Sequence, residues 1–237
     1  MAANGAKNAV FLNLDDAYGN GLAKYGIAGF TGTSTQVVYN PQAAEFSADV
    51  SKAKAAKPDA IAIIGFDETV KIFTELIKQG IGPNKVKTYL VDGNLSSGAY
   101  KDLPAGIMKG VKGTLPGVLA TGDLQQRLLS VDPALTDYSY AAESYDAVVL
   151  LALAALAAGS VEGVDMAGKL QEVSGGSGSG TKCTSFAECA DIIISGGTAD
   201  YDGPSGAVTF NEKGDPTDGN ILIQQFDGNN VPATIRG

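Results

Sequence analysis

Six side chains in this sequence have the type and spacing for ligand chemistry: Tyr18, Phe66, Asp67, Glu68, Asp92 and Asn94. Each lies just beyond a short apolar run of the kind that forms a strand. In chains that alternate strands with helices, ligands collect outside the carboxyl ends of the strands. Aromatic rings beside oxygen acceptors suit a zwitterionic or amine-bearing small molecule, its cation over a ring face or against a carboxylate. The competing reading is structural, with Asp67 and Asp92 capping helices and the aromatics filling sheet edges. Tyr140 and Tyr145 fall on a long helical stretch and read first as core or interface residues.

Bond-making chemistry finds less support. The chain has no histidine, so the Ser-His-Asp triad and most proton shuttles are excluded, and neither a Gly-x-Ser-x-Gly elbow nor a phosphate-binding loop occurs. Carboxylate pairs remain the one enzymatic route, and no acid shows a partner at this level. Gly19-Asn20-Gly21 suggests a dinucleotide fingerprint, but the third glycine is replaced by Lys24, and Asp15 and Asp16 would repel a pyrophosphate. The acidic turns Asp200-Tyr201-Asp202-Gly203 and 211–218 lack the alternating oxygen ligands of a calcium loop and read as ordinary turns. No metal site and no cofactor is expected. Cys183 and Cys189, six apart, are too few for zinc without histidine. The count favours a disulfide, which fits an oxidising compartment, over two free thiols.

Positioning these side chains requires a layered scaffold. Ala60–Ile64 and Asn8–Leu14 are unbroken apolar runs, as expected of parallel strands covered on both faces. Thr35–Tyr39 and Thr88–Val91 supply two more strands. Between them lie helices carrying Leu22, Tyr25, Gly26 and Phe30; Phe46, Val50 and Ala53 up to Lys57; and Val70, Phe73, Leu76 and Ile77, with Gly80 as a stop. This alternation predicts an α/β fold with a right-handed, doubly wound parallel sheet. Beyond it the pattern predicts a short helix at 97–101, a strand at 110–117 and a long helix at 137–158 capped by Thr136 or Asp137. The long helix is apolar nearly all round through Val148, Leu151, Ala152, Ala155 and Leu156, and so calls for cover on several sides. A helix at 165–173 leads into a Gly/Ser stretch, 174–180, that reads as the best linker. Ser185-Phe186-Ala187-Glu188 has the form of a capping box for a helix to Ser195. Strands at 207–210 and 220–226, with a hairpin at Asp227-Gly228, close the chain.

A 237-residue chain that is 44% hydrophobic and 18% charged is globular in composition, long enough for one large domain or two small ones. Its formal charge of −9 and lack of a basic cluster exclude nucleic acid as a partner. The apolar run 147–158 is too short to span a bilayer and reads as a buried helix. Met1-Ala2-Ala3-Asn4 lacks the features of a secretory leader and reads as an internal or artificial start.

Several segments together resemble the type I periplasmic solute-binding proteins of the branched-chain amino acid class of ABC importers. They are Asp16-Ala17-Tyr18-Gly19-Asn20-Gly21-Leu22-Ala23, Lys57-Pro58-Asp59-Ala60-Ile61, Tyr89-Leu90-Val91-Asp92-Gly93, Gly110-Val111-Lys112-Gly113, Tyr140-Ala141-Ala142-Glu143-Ser144-Tyr145-Asp146-Ala147 and 203–215. Cys183 and Cys189 resemble the disulfide hairpin of one subgroup. The resemblance covers nearly the whole chain in the family's order. It implies a non-enzymatic, extracytoplasmic receptor that closes two lobes on an amino-acid-like ligand and hands it to a membrane permease. A ligand-sensing receptor of the same fold is the alternative, and a carboxylate-using α/β enzyme the third reading. The resemblance further implies that most of a first lobe precedes Asn8 and lies outside this chain. Residues 6–118 then form the second, closing lobe, 119–205 a helical remainder of the first lobe with the Cys hairpin, and 206–237 strands returning to the second lobe. The helix 137–158 would lack its sheet and must find another partner, the second lobe, a rearranged packing or a second copy of the chain; a homodimer or swapped arrangement through that helix is the expectation. Phe66 stands where relatives often have Tyr.

Overall fold

The computed structural model describes residues 1–95, 100 and 102–236; apart from Tyr100, the expected helix at 97–101 lies outside the described residues. The chain divides into two units, Met1–Leu115 with Leu222–Gly237, and Pro116–Ile221.

The first unit is built on strands β1 (Asn8–Leu14), β2 (Thr33–Tyr39), β3 (Ala60–Ile64), β4 (Lys87–Leu90) and β5 (Lys112–Pro116). Pairings β1 with β2, β1 with β3, β3 with β4 and β4 with β5 are all parallel. Every residue of β3, and all of β1 after Asn8, is buried, which is why both read as unbroken apolar runs. Strand β9 (Ile221–Phe226) extends the sheet beside β5, and β10 (Pro232–Arg236) pairs antiparallel with β9, giving the order β10-β9-β5-β4-β3-β1-β2. Asp227 Oδ1 accepts from the amides of Asn229 and Val231, and Asn230 takes the left-handed φ of 60° that closes the hairpin. Tyr100 packs edge-on between Phe73 and Phe226, joining the hairpin to the layer of helices.

Helices α1 (Ala17–Gly29), α2 (Ser47–Ala55) and α3 (Thr69–Lys78) connect the strands. In α1 the expected apolar stripe is not the buried one. Leu22 and Tyr25 are exposed, and Gly19 and Ala23 face the sheet. The reason is close approach: a Cβ at Gly26 would come within 2.8 Å of the Phe11 ring, and one at Gly19 would meet Leu14. Only small residues fit along that line, so the large ones turn outward. Helix α2 stops at Ala55, short of Lys57, because Lys57 adopts φ 52° ahead of Pro58. Helix α3 buries Thr69, Ile72, Phe73 and Leu76 and ends at Gly80 (φ 78°), with Gly80 N bonded to Ile77 O and Ile81 N to Leu76 O.

The second unit packs α4 (Gly122–Val131), α5 (Ala141–Ala158), α6 (Gly163–Val173) and α7 (Phe186–Ile194) with a small sheet ordered β6 (Thr181–Cys183), β7 (Ala199–Gly203), β8 (Gly206–Ala207). Helix α4 had no counterpart in the sequence reading. Helix α5 begins at Ala141 and not at Asp137, since Tyr140 is left-handed (φ 60°) and Asp137 Oδ1 accepts from Ser139 N instead of capping the helix. Only one side of α5 is covered: Ala142, Asp146, Val149, Leu150, Leu153 and Ala154 are buried, whereas Val148, Leu151 and Leu156 are 67%, 45% and 37% exposed. By length and composition α5 also passes for a membrane span. Its Asp146, fully buried against Tyr201 OH and the amide and hydroxyl of Ser205, instead ties it to the β7–β8 turn.

Cys183 and Cys189 form a disulfide inside the core with Val173, Ala190 and Tyr201. The capping box is displaced by one residue. Ser185 Oγ accepts from Glu188 N, but the Glu188 carboxylate reaches back to Thr184 N. The Gly/Ser stretch is no linker: Ser174 is fully buried, its Oγ donating to Gln171 O and accepting from Phe210 N. This unit runs to Ile221, and Leu222–Gly237 belongs with the first unit. The strand expected at 207–210 reduces to Gly206–Ala207 plus a bridge between Phe210 and Pro216. Asp200 and Asp202 both pair with Lys182, at 3.0 and 2.7 Å.

Candidate functional site

Because β3 lies between β1 and β4, the loops leaving these three strands emerge side by side at one edge of the sheet. The β1 loop opens α1 through Asp16, whose carboxylate accepts from Gly19 N at 2.7 Å and so fixes Tyr18 in the first turn. The β3 loop is Gly65-Phe66-Asp67-Glu68, and the β4 loop is a 3₁₀ turn over Asp92–Asn94.

The three loops meet at one point. The rings of Tyr18 and Phe66 stack with centroids 5.1 Å apart and planes 23° from parallel. Tyr18 OH donates to Asp92 Oδ1 at 2.9 Å and accepts from Gly93 N at 3.3 Å. A Cβ at Gly93 would stand 2.8 Å from both the Phe66 ring and Gly65 O, so glycine is what allows the β4 turn to approach the aromatic loop. Phe66 remains 45% exposed at the tip of its loop.

The remaining candidates divide differently. Asp67 is exposed at the tip of its loop. Glu68 turns inward: its Oε1 accepts from Tyr39 OH at 2.7 Å and from Phe66 N at 3.1 Å, and it makes no side-chain cap for α3. Burial first, then this hydrogen bond and charge, push the Tyr39 hydroxyl far above its ordinary pKa, so it stays a donor. Asn94 is buried and fully engaged, its Nδ2 donating to Ile63 O and Thr69 Oγ1 and its Oδ1 accepting from Val91 N. Glu68 and Asn94 therefore hold the loops, and the half-buried Tyr18 and Asp92 with the exposed Phe66 make up the remaining constellation. Tyr39 and Thr69 were not foreseen as parts of this support, because nothing in their own segments announces a bond to a loop some thirty residues away. The polar chain Gln36, Asn13, Asn20, Asp15 beneath the β1 loop was likewise missed, although a polar Asn13 inside an apolar strand was the available signal.

A stacked aromatic pair abutting a carboxylate offers an ammonium group both a ring face and a counter-charge.

Over 224 residues the chain is 27% identical to the chemotactic signal transduction system substrate-binding protein BasB of Halobacterium salinarum, an alignment covering 93% of this chain and 52% of that protein. Among solved structures, the leucine binding protein LivK of Thermotoga maritima superposes with a TM-score of 0.73 at 19% identity, over 98% of this chain and 60% of its own. LivJ of Streptococcus pneumoniae, a branched-chain amino acid transporter substrate binding protein solved with isoleucine, superposes with a TM-score of 0.64 at 18% identity, over 98% and 61% of the two chains. These likenesses establish the fold, and the chain spans only part of each relative's length. A family model for the periplasmic binding proteins matches residues 1–229, and the chain belongs to that family.

Proposed function

We propose that this chain is the ligand-closing part of an extracytoplasmic solute-binding protein for amino-acid-like molecules, non-catalytic, which in its intact form delivers the ligand to the membrane permease of an ABC importer. The observation that carries this reading is the contact of Tyr18, Phe66 and Asp92 at the carboxyl edge of the parallel strands. In it, Met1–Leu115 with Leu222–Gly237 is the closing lobe, and Pro116–Ile221 is the helical remainder of the opposite lobe. The leucine and isoleucine named for the structural relatives make branched-chain amino acids the first ligands to try. The buried disulfide supports an oxidising compartment.

With part of the cleft contacts supplied by residues outside this chain, binding by these 237 residues is expected to be weak, in the millimolar range (about −4 kcal/mol). Amide chemical-shift titration of the chain with leucine and isoleucine tests the site. The expected shifts cluster at residues 15–20, 65–68 and 91–94 and are lost in Asp92→Asn. Micromolar affinity, or shifts centred elsewhere, refutes the assignment. A second reading, a chemosensory receptor, is favoured by the likeness to BasB, a protein of a chemotactic signal transduction system. Loss of labelled amino-acid uptake on gene deletion supports the importer, and loss of chemotaxis with uptake intact supports the sensor.

A further inference from the structure

The opposite edge of the same sheet carries a concave pocket of about 360 Å³, lined by Asn4, residues 83–89 and residues 109–112. Four lysines line it: Lys85, Lys87, Lys109 and Lys112. The chain as a whole is acidic, with 26 Asp and Glu, yet residues 76–91 and 103–122, which supply this wall, contain none. Four of the 17 Lys and Arg thus share a wall whose lining residues include no acid, in a molecule of net charge −9.

Topology explains the convergence. Lys87 and Lys112 are the first residues of the neighbouring parallel strands β4 and β5, so both start at the same edge. Their ammonium groups reach the same residue, Lys87 Nζ to Asn4 O at 2.7 Å and Lys112 Nζ to Asn4 Oδ1 at 3.4 Å. Both acceptors are neutral. Among the described residues none of the four lysines takes part in an ion pair. Asp59 is the acid that senses Lys87, but its two oxygens are already taken by the amides of Lys7 and Asn8, which hold its pKa below the usual value. One engaged carboxylate does not neutralise four ammonium groups, and an anion in the pocket converts their mutual repulsion into attraction. Lysine is a point-charge binder of phosphate oxygens. Exposed Asn84 on the same wall adds a polar group.

We propose that this pocket is a binding site for a phosphate-bearing anion, larger than bare phosphate. The chemistry is shared by soluble phosphoesters and by the headgroups of anionic phospholipids. The site lies roughly one strand length, about 13 Å for four residues, from the Tyr18–Phe66–Asp92 edge, so both can be filled together.

The test uses the full 237-residue chain with two probes, inorganic pyrophosphate by calorimetry and flotation with vesicles of phosphatidylcholine with or without phosphatidylglycerol. Lys85→Glu/Lys109→Glu removes two exposed lysines that make no side-chain hydrogen bond among the described residues. Lys24→Glu/Lys71→Glu makes the same change of net charge elsewhere. Saturable pyrophosphate binding, reduced at least tenfold by the first pair and less than twofold by the second, supports the site with a soluble ligand. Phosphatidylglycerol-dependent flotation, lost only with the first pair and without pyrophosphate binding, supports it with a lipid headgroup. Absence of both, or equal loss with either pair, overturns it. Neither result depends on amino-acid binding at the other edge.

Discussion

Substituting Glu68 separates a residue that shapes the site from one that touches the ligand. In the structure its Oε1 accepts from Tyr39 OH and Phe66 N, and the Tyr39 hydroxyl also lies 3.1 Å from Ile64 O. Gln preserves an acceptor oxygen in the same place and removes only the charge. A charge-assisted hydrogen bond contributes roughly 1.5–3 kcal/mol and a neutral one about 1 kcal/mol, so Glu68→Gln is expected to destabilise by about 1–2 kcal/mol. Glu68→Ala removes the acceptor altogether. Tyr39 retains Ile64 O, but Phe66 N loses its side-chain partner, and the expected loss is about 3 kcal/mol. Urea unfolding followed by circular dichroism measures both. For amino-acid binding, Gln should stay within twofold of the parent, and Ala should weaken binding several-fold through a loosened Phe66. If Gln and Ala abolish binding alike while leaving the unfolding midpoint unchanged, the carboxylate faces the ligand and the positioning argument fails.

Tyr39, Tyr100 and Tyr201 are buried, and burial is the largest cause raising each hydroxyl above its ordinary pKa near 10. A raised folded-state pKa means that their stabilisation is complete below about pH 10. It is lost as pH climbs toward the raised values, by about 1.4 kcal/mol per pH unit for each tyrosine. Tyrosinate absorbance should therefore show these three ionising only together with loss of structure; their ionisation in the intact fold would contradict the packing. Reducing Cys183–Cys189, which closes a loop of six residues, should lower stability by roughly 2 kcal/mol on the loop-entropy estimate, and a midpoint unchanged by dithiothreitol would deny the disulfide a structural role. The exposed Val148, Leu151 and Leu156 give α5 an apolar strip that a second copy of the chain would cover. Light scattering is expected to show self-association that Leu151→Lys abolishes, and a clean monomer of the parent chain rules this out.

Local sequence was enough for the parts whose physics is local. The unbroken runs at Asn8–Leu14 and Ala60–Ile64 announced strands buried on both faces, Gly80 stopped α3, and the positions of Tyr18, Phe66 and Asp92 just past strand ends followed from the alternation of strand and helix. Where neighbours at long range decide, the sequence was silent or misleading. Leu22 and Tyr25 look like the inner stripe of α1, but the close approach of Phe11 and Leu14 admits only Gly19, Ala23 and Gly26. The Gly/Ser stretch looks like a linker until Ser174 is seen bonded to Phe210 N, and α5 looks buried all round until its covered side is seen to be one. Glu68 and Asn94 have the chemistry of ligand groups, yet Tyr39, Phe66 N, Thr69 and Ile63 O claim them first. A side chain's chemical type is written in the sequence; whether its polar atoms are still open to a guest depends on which distant groups the fold brings within hydrogen-bonding distance, and that only the tertiary structure decides.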